Sequence, residues 1–226
     1  MRLLYPASCG ACSSLLELEE KGICVACRIR LARLRFDPGR ALLDRPFKNL
    51  GKAWCLYPYA SPVKEILAGI KFLGKRWLLR VFRRDFEWIT PLLALEHSYD
   101  ALTPVPLHVS RLLTREFNQA EIAAEHLSAA SGIPLMRGIL KKSVRGPAQS
   151  TLGRRERRLN LFKTFEVPAP EKIRGKTFLL VDDILTSGAT AEEAAGTLRK
   201  AGARRVDLFA LAATIERAPA LEEAVS

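Results

Sequence analysis

The stretch Phe178 to Thr190, FLLVDDILTSGAT, constrains this chain most. Phe178 to Val181 run without a polar break, the pattern of a strand buried on both faces, as in a parallel sheet covered by helices. Asp182 and Asp183 follow where that strand should emerge from the sheet, and two carboxylates there are costly unless hydrogen-bonded or paired with cations. Thr186, Ser187, Gly188, Ala189 and Thr190 then form a loop of hydroxyls and glycine ahead of a helix expected to begin near Ala191.

Carboxylates only accept hydrogen bonds, so an adjacent pair suits the two hydroxyls of a vicinal diol such as ribose better than it suits a phosphate. A helix N-terminus binds phosphate through its free N–H groups and dipole, with no lysine required. A diol site and a phosphate site one loop apart describe a ribose 5-phosphate. The stretch is not a Walker A loop, which needs G-x-x-x-x-G-K-[ST]. The plainer reading makes Thr190 an N-cap, Glu193 its capping-box partner and the aspartates turn caps; it leaves the acid pair and Thr186 unexplained.

The rest of the chain alternates in the same manner. AWCLYPY reads as a strand, SPVKEILAGIKFLG as a helix capped by Ser61, and KRWLLRVFRRDFEWITPLLAL as a second helical pattern. DALTPVPL, LMRGILKK, KTFEV and RVDLFALAATI read as strands; NQAEIAAEHLSAASG and TAEEAAGTLRKAGA read as helices, the former closed by Gly132. This interleaving predicts an α/β fold with a mainly parallel sheet and helices on both faces. Ligands in such sheets sit beyond the carboxyl ends of the strands, which brings the ends of ALTPVP and FLLVDD to one rim. The formal charge of +12 favours polyanionic partners. No apolar run approaches the roughly 20 residues that span a bilayer, and the expected location is the cytoplasm.

Four of the five cysteines form two close pairs, Cys9/Cys12 and Cys24/Cys27. That is the two-knuckle spacing of a four-cysteine zinc site, in which metal ligation supplies the folding free energy that so short a segment lacks. Four protein ligands leave no open position, so the zinc is expected to be structural. Cys55, in a predicted strand, reads as a small buried hydrophobe. The expected division is a zinc-binding domain at 1–35, a basic linker at 36–53 and an α/β domain at 54–226.

FLLVDDILTSGAT resembles the phosphoribosyl-pyrophosphate (PRPP) loop of type I phosphoribosyltransferases: an apolar strand, two acids and a T-x-G-x-T turn before a helix. A four-cysteine knuckle ahead of such a domain resembles the competence protein F (ComF) family over nearly the whole chain. KFLG at 71–74 and PVPLHVSRLLTREFNQAEIAAEHL at 104–127 resemble two of its segments, and Gln149, Leu152, Arg157, Asn160 and Phe165 fit a third pattern. Glu116 stands where the family usually has Gly, and Gly146 where Thr is common.

The resemblance implies that Asp182 and Asp183 are the catalytic, ribose-binding acids and that Thr186 to Thr190 hold the 5-phosphate, with Mg²⁺ accompanying PRPP. The turn after ALTPVP is placed for the pyrophosphate, with the N–H groups of Leu107 and His108 and the side chains of Arg111 and Arg115 as donors on the pyrophosphate or nucleic-acid side. The Arg-rich segment 143–160 reads as a lid or as a solvated basic helix. The implied role is DNA uptake in natural transformation, with single-stranded DNA and a competence helicase as partners. Two alternatives stay open: an active phosphoribosyltransferase of nucleobase or nucleotide metabolism, and a PRPP-sensing regulator.

Overall fold

The uninterrupted apolar runs form a parallel sheet in the computed structural model, which describes residues 7–44, 46–107, 117–142 and 164–215. Its strands are β1 (Ala53–Pro58), β2 (Ala101–Pro104), β5 (Thr177–Leu185) and β6 (Arg205–Ala213), in the order β1-β6-β5-β2 with every neighbouring pair parallel. All of β1 and the first five residues of β5 are buried in succession. Successive residues face opposite sides of a sheet, so both faces are covered. Beyond β2, Leu102 bridges Leu135 in parallel, all that forms in the sheet from the start of the predicted strand LMRGILKK. A short antiparallel pair, β3 (Lys141–Lys142) with β4 (Phe165–Glu166), stands apart. The proposed lid at 143–160 lies outside the described residues.

The helices are α1 (Val25–Leu34), the single turn α2 (Pro38–Ala41), α3 (Val63–Leu73), α4 (Arg83–Glu96), α5 (Gln119–Ser131) and α6 (Ala189–Lys200). Gly132, left-handed at φ 72°, closes α5 as the sequence predicts. Ser61 does not cap α3: Pro62 takes the cap position without a side-chain bond, and Ser61 Oγ instead accepts from Arg30 Nη2 at 3.4 Å. The second helical pattern opens as a 3₁₀ stretch, Arg76–Phe82, before α4, which carries Pro91 in its interior. Phe86 of α4 packs against Phe209 of β6, ring centroids 6.0 Å apart.

The cysteine-bearing segment has no core of its own. Ile23, Cys27, Leu31 and Phe36 belong to the same buried cluster as the strands of the sheet. Arg35 fixes the join, with Nη1 donating to Asp85 Oδ1 at 2.9 Å and its guanidinium 4.6 Å from the Trp88 ring. Residues 47–52 continue along the body: Gly51 N–H donates to the Val206 carbonyl at 2.9 Å, and Lys52 N–H to Asp207 Oδ1 at 2.9 Å. A side chain on Gly51 would collide with Asp207 and Arg205, so this close approach requires glycine.

Candidate functional site

β5 does not end at the acids. It runs on to Leu185, with Asp182 opposite Ala210 and Leu185 opposite Ala213 of β6. On its other edge the partner stops earlier: β2 ends at Pro104 opposite Val181, and Val105 N–H adds a last bond to the Val181 carbonyl. Asp182 and Asp183 therefore stand on a strand held by β6 on one side and past the end of β2 on the other. Both are half-buried. Each turns one oxygen back on the main chain: Asp182 Oδ1 accepts from Asp183 N–H at 2.9 Å, and Asp183 Oδ1 from Ile184 N–H at 2.8 Å.

Apart from the interaction of the two side chains with each other, no other hydrogen bond to either carboxylate forms among the described residues, which leaves acceptor capacity on the pair. Burial, and after it the charge of Asp183, pushes Asp182 well above the ordinary carboxylate range, while the Lys142 ammonium pulls the other way.

After Leu185 the chain makes a three-residue turn, and α6 starts at Ala189, two residues ahead of the sequence expectation. The cap is Gly188, at φ 84° and ψ −4°, a conformation that side chains other than glycine rarely adopt. Ala189 N–H meets Ser187 Oγ at 3.4 Å. Thr190 is thus inside the first turn and is not the N-cap. Glu193 closes no capping box; its Oε1 accepts from Thr164 N–H at 2.9 Å, tying α6 to the chain just before β4. What remains at this end of α6 is a first turn whose N–H groups have no partner within the helix, one loop away from the two acids.

The third element of the rim is the chain after β2. Leu107 is half-buried there. His108, Arg111 and Arg115 lie outside the described residues. The segment that carries them is bracketed by Asn118, whose Oδ1 accepts from Ala120 N–H at 3.1 Å as the α5 cap while Nδ2 donates to the Val105 carbonyl at 2.9 Å.

Three further residues support the loop. A Cβ on Gly188 would come within 2.9 Å of the Phe47 ring, so Phe47 lies directly against the turn. Asn49 donates to Glu192 Oε2 through its N–H and its Nδ2, both at 3.0 Å, and Leu50 N–H reaches Oε1 at 3.3 Å. Glu192 is in the first turn of α6, so residues 47–50 form a strap along that helix. Sequence reading missed all three, because Phe47 and Asn49 are about 140 residues away from the loop they touch; an acid in a helix's first turn was the one visible sign.

In the knuckle, the Sγ atoms of Cys9, Cys12, Cys24 and Cys27 all lie within 4.8 Å of one another, with Cys12 and Cys24 3.7 Å apart. Tetrahedral ligation by thiolates at a Zn–S distance of about 2.3 Å separates the sulfurs by roughly 3.8 Å. Main-chain N–H groups of Ala11 and Cys24 point at Cys9 Sγ at 3.4 and 3.3 Å, contacts that favour its thiolate over its thiol, and that of Cys27 points at Cys24 Sγ at 3.5 Å. Donors from Ser14 hold Cys12 down to about 6, whereas burial and the other three sulfurs push Cys27 up. Ionising all four thiols opposes itself unless a cation sits among them. The cluster can hold a metal ion. Cys55 is fully buried, its thiol pushed up to about 12 by burial, and Sγ donates to the Tyr57 carbonyl at 3.1 Å.

Comparison with known proteins agrees with this geometry. A phosphoribosyl transferase domain model matches residues 117–225, the span that carries β5, the acids and α6. Competence protein ComFC of Bacillus subtilis is 31% identical over 192 residues, covering 84% of this chain and 71% of that protein. The chain belongs to the ComF family. Competence protein F of Haemophilus influenzae is 25% identical over 221 residues, 90% of this chain and 96% of that one. DNA utilization protein YhgH of Escherichia coli K12 is 25% identical over 215 residues, 92% and 90% of the two chains. As in the sequence reading, this ComF protein joins a four-cysteine cluster to a phosphoribosyltransferase-like α/β fold. Among the described residues, no helix is long and apolar enough to cross a membrane.

Proposed function

We propose that this ComF protein binds PRPP at the rim formed by Asp182, Asp183 and residues 186–190, and serves DNA uptake in natural transformation. The observation that carries the reading is the adjacency of acceptor and donor on one rim: two carboxylates past the end of β2, and six residues after Asp183 the open first turn of α6. Acceptors fit the ribose 2′ and 3′ hydroxyls, and helix N–H groups with the side chains of Thr186, Ser187 and Thr190 fit the 5-phosphate. In any turnover the two acids double as the catalytic pair, stabilising positive charge that develops on the ribose they hold. Leu107, His108, Arg111 and Arg115, which come after β2 in the sequence, serve the pyrophosphate or nucleic-acid side. Magnesium, when bound, offsets the charge of the pyrophosphate.

The role in DNA uptake follows the relatives, two named for competence and one for DNA utilization. Single-stranded DNA and a competence helicase are the partners this role implies, and the charge of +12 suits the former. The cysteine cluster holds a structural zinc ion, and the protein works in the cytoplasm, where thiols stay reduced.

The deciding experiment is a PRPP titration of wild type and Asp183→Asn, with and without Mg²⁺, while pyrophosphate release is followed in the presence of nucleobases. The wild type binds PRPP with Mg²⁺, and Asp183→Asn weakens binding roughly tenfold or more, the loss of a charged acceptor. A wild type that does not bind PRPP sinks the assignment. Pyrophosphate release that depends on one base makes the protein a transferase; binding without release makes PRPP a ligand for the uptake role.

A further inference from the structure

The opposite end of the sheet carries a second concentration of positive charge. Thr177 and Arg205 are the first residues of β5 and β6, and beside them opens a cavity of about 650 Å³. Lys48, His97, Arg199, Arg204 and Arg205 line it, and no carboxylate is among its lining residues. Among the described residues Arg205 alone of these forms an ion pair, with the fully buried Asp207 at 2.8 Å. Arg204 donates to the neutral Thr177 Oγ1 at 3.0 and 3.2 Å, and Arg199 to the Ala203 carbonyl at 3.3 Å, so both keep their charge. Lys48 is exposed and pairs with no acid among the described residues.

Three cations without an ion-pair partner among the described residues repel one another around one cavity, an arrangement that a multiply charged anion relieves. The volume falls in the range of small-ligand sites, roughly 300 to 1,000 Å³, too large for a single ion. Thr177 is five strand residues from Asp182, about 16 Å at the usual rise, so the cavity is separate from the acid rim.

We propose that this cavity is a second anion site, taking a small ligand with two or more linked phosphates, such as a nucleoside triphosphate or inorganic polyphosphate. Lys48, Arg199 and Arg204, all lining the cavity, bind the phosphates. Arginine forks match phosphate oxygens in pairs, and the lysine adds a point charge.

The test is calorimetric titration of the full chain with inorganic tripolyphosphate and, separately, ATP. Lys48→Glu, Arg204→Gln and Asp183→Asn are compared with wild type. Tripolyphosphate binds the wild type and Asp183→Asn alike, and Lys48→Glu and Arg204→Gln each weaken it roughly tenfold. ATP binding more tightly than tripolyphosphate identifies a nucleotide site; equal affinity identifies a polyphosphate site. Arg204→Gln removes a bond to Thr177, and its melting curve shows whether it folds; Lys48 is exposed, and its variant decides the matter alone. No binding by the wild type, or binding that Lys48→Glu leaves intact, overturns the proposal. PRPP binding is scored separately through Asp183→Asn, so either site can fail without the other.

Discussion

At the scale of single residues, Asp182 carries the sharpest consequence. In the unfolded chain it titrates near 3.9, the ordinary aspartate value. In the folded chain, burial and Asp183 raise it well above that. Between the two values the folded state holds a proton that the unfolded state has released, so stability falls as pH rises through this window and stays lower above it. Asp182→Asn removes this term without removing the local bond, because an amide oxygen still accepts from Asp183 N–H. Denaturant unfolding from about pH 4 to pH 8 should therefore show a flatter profile for Asp182→Asn than for wild type, with the variant gaining on wild type as pH rises. Parallel profiles would show that the folded protein leaves Asp182 at its ordinary value. A bound diol or cation lowers the cost of ionising the acid, so saturating ligand should flatten the wild-type profile as well.

At the scale of elements, the knuckle shows what spacing alone can say. Two C-x-x-C pairs give a ligand set, and the chain brings all four sulfurs together as that spacing requires. It also gives the segment a share of the main core, through Ile23, Cys27 and Leu31, which spacing does not show. Metal loss should therefore spread beyond the knuckle. Metal analysis of wild type should give about one zinc per chain and Cys24→Ser close to none, and the variant should melt lower in a single transition with the α/β body. A metal-free wild type of unchanged stability would remove zinc from the account.

The same contrast holds elsewhere. β1, β5, β6 and α5 were legible because apolar runs and the αL glycine at Gly132 act locally. The start of α6 was not, because Gly188 supplies a left-handed turn that ends the loop two residues earlier than hydroxyl counting suggests. Asp182 and Asp183 were legible as acids at the end of an apolar run, but their place within a still-paired strand depends on β2 being shorter than β6.

At the scale of the whole molecule, residues 47–52 matter more than their composition suggests. The segment touches Gly188 at the acid rim through Phe47, Glu192 through Asn49 and Leu50, and Asp207 at the far end of the sheet through Lys52. Lys52 also pairs with Glu96 at the end of α4. The surrounding stretch 36–53, rich in Lys, Arg, Pro and Gly, reads as a linker because the anchors of 47–52 are main-chain N–H groups, one phenylalanine and one asparagine, which leave no hydrophobic period. Within the turn before α6, Gly188 has no side chain and gives the helix no side-chain cap.

Phe47 is therefore the residue that keeps the turn in place from outside, a positioning residue that meets no reacting atom. Phe47→Ala should weaken PRPP binding roughly tenfold, since a displaced loop loses much of what a well-placed one contributes. The melting temperature should move little, because the ring is only half-buried. Phe47→Leu, which keeps an apolar side chain against Gly188, should restore most of the affinity. If Phe47→Ala binds PRPP as wild type does, the strap merely packs along α6 and the turn holds its shape unaided. If Phe47→Ala lowers affinity and melting temperature together and Phe47→Leu rescues neither, the ring serves the core and not the loop.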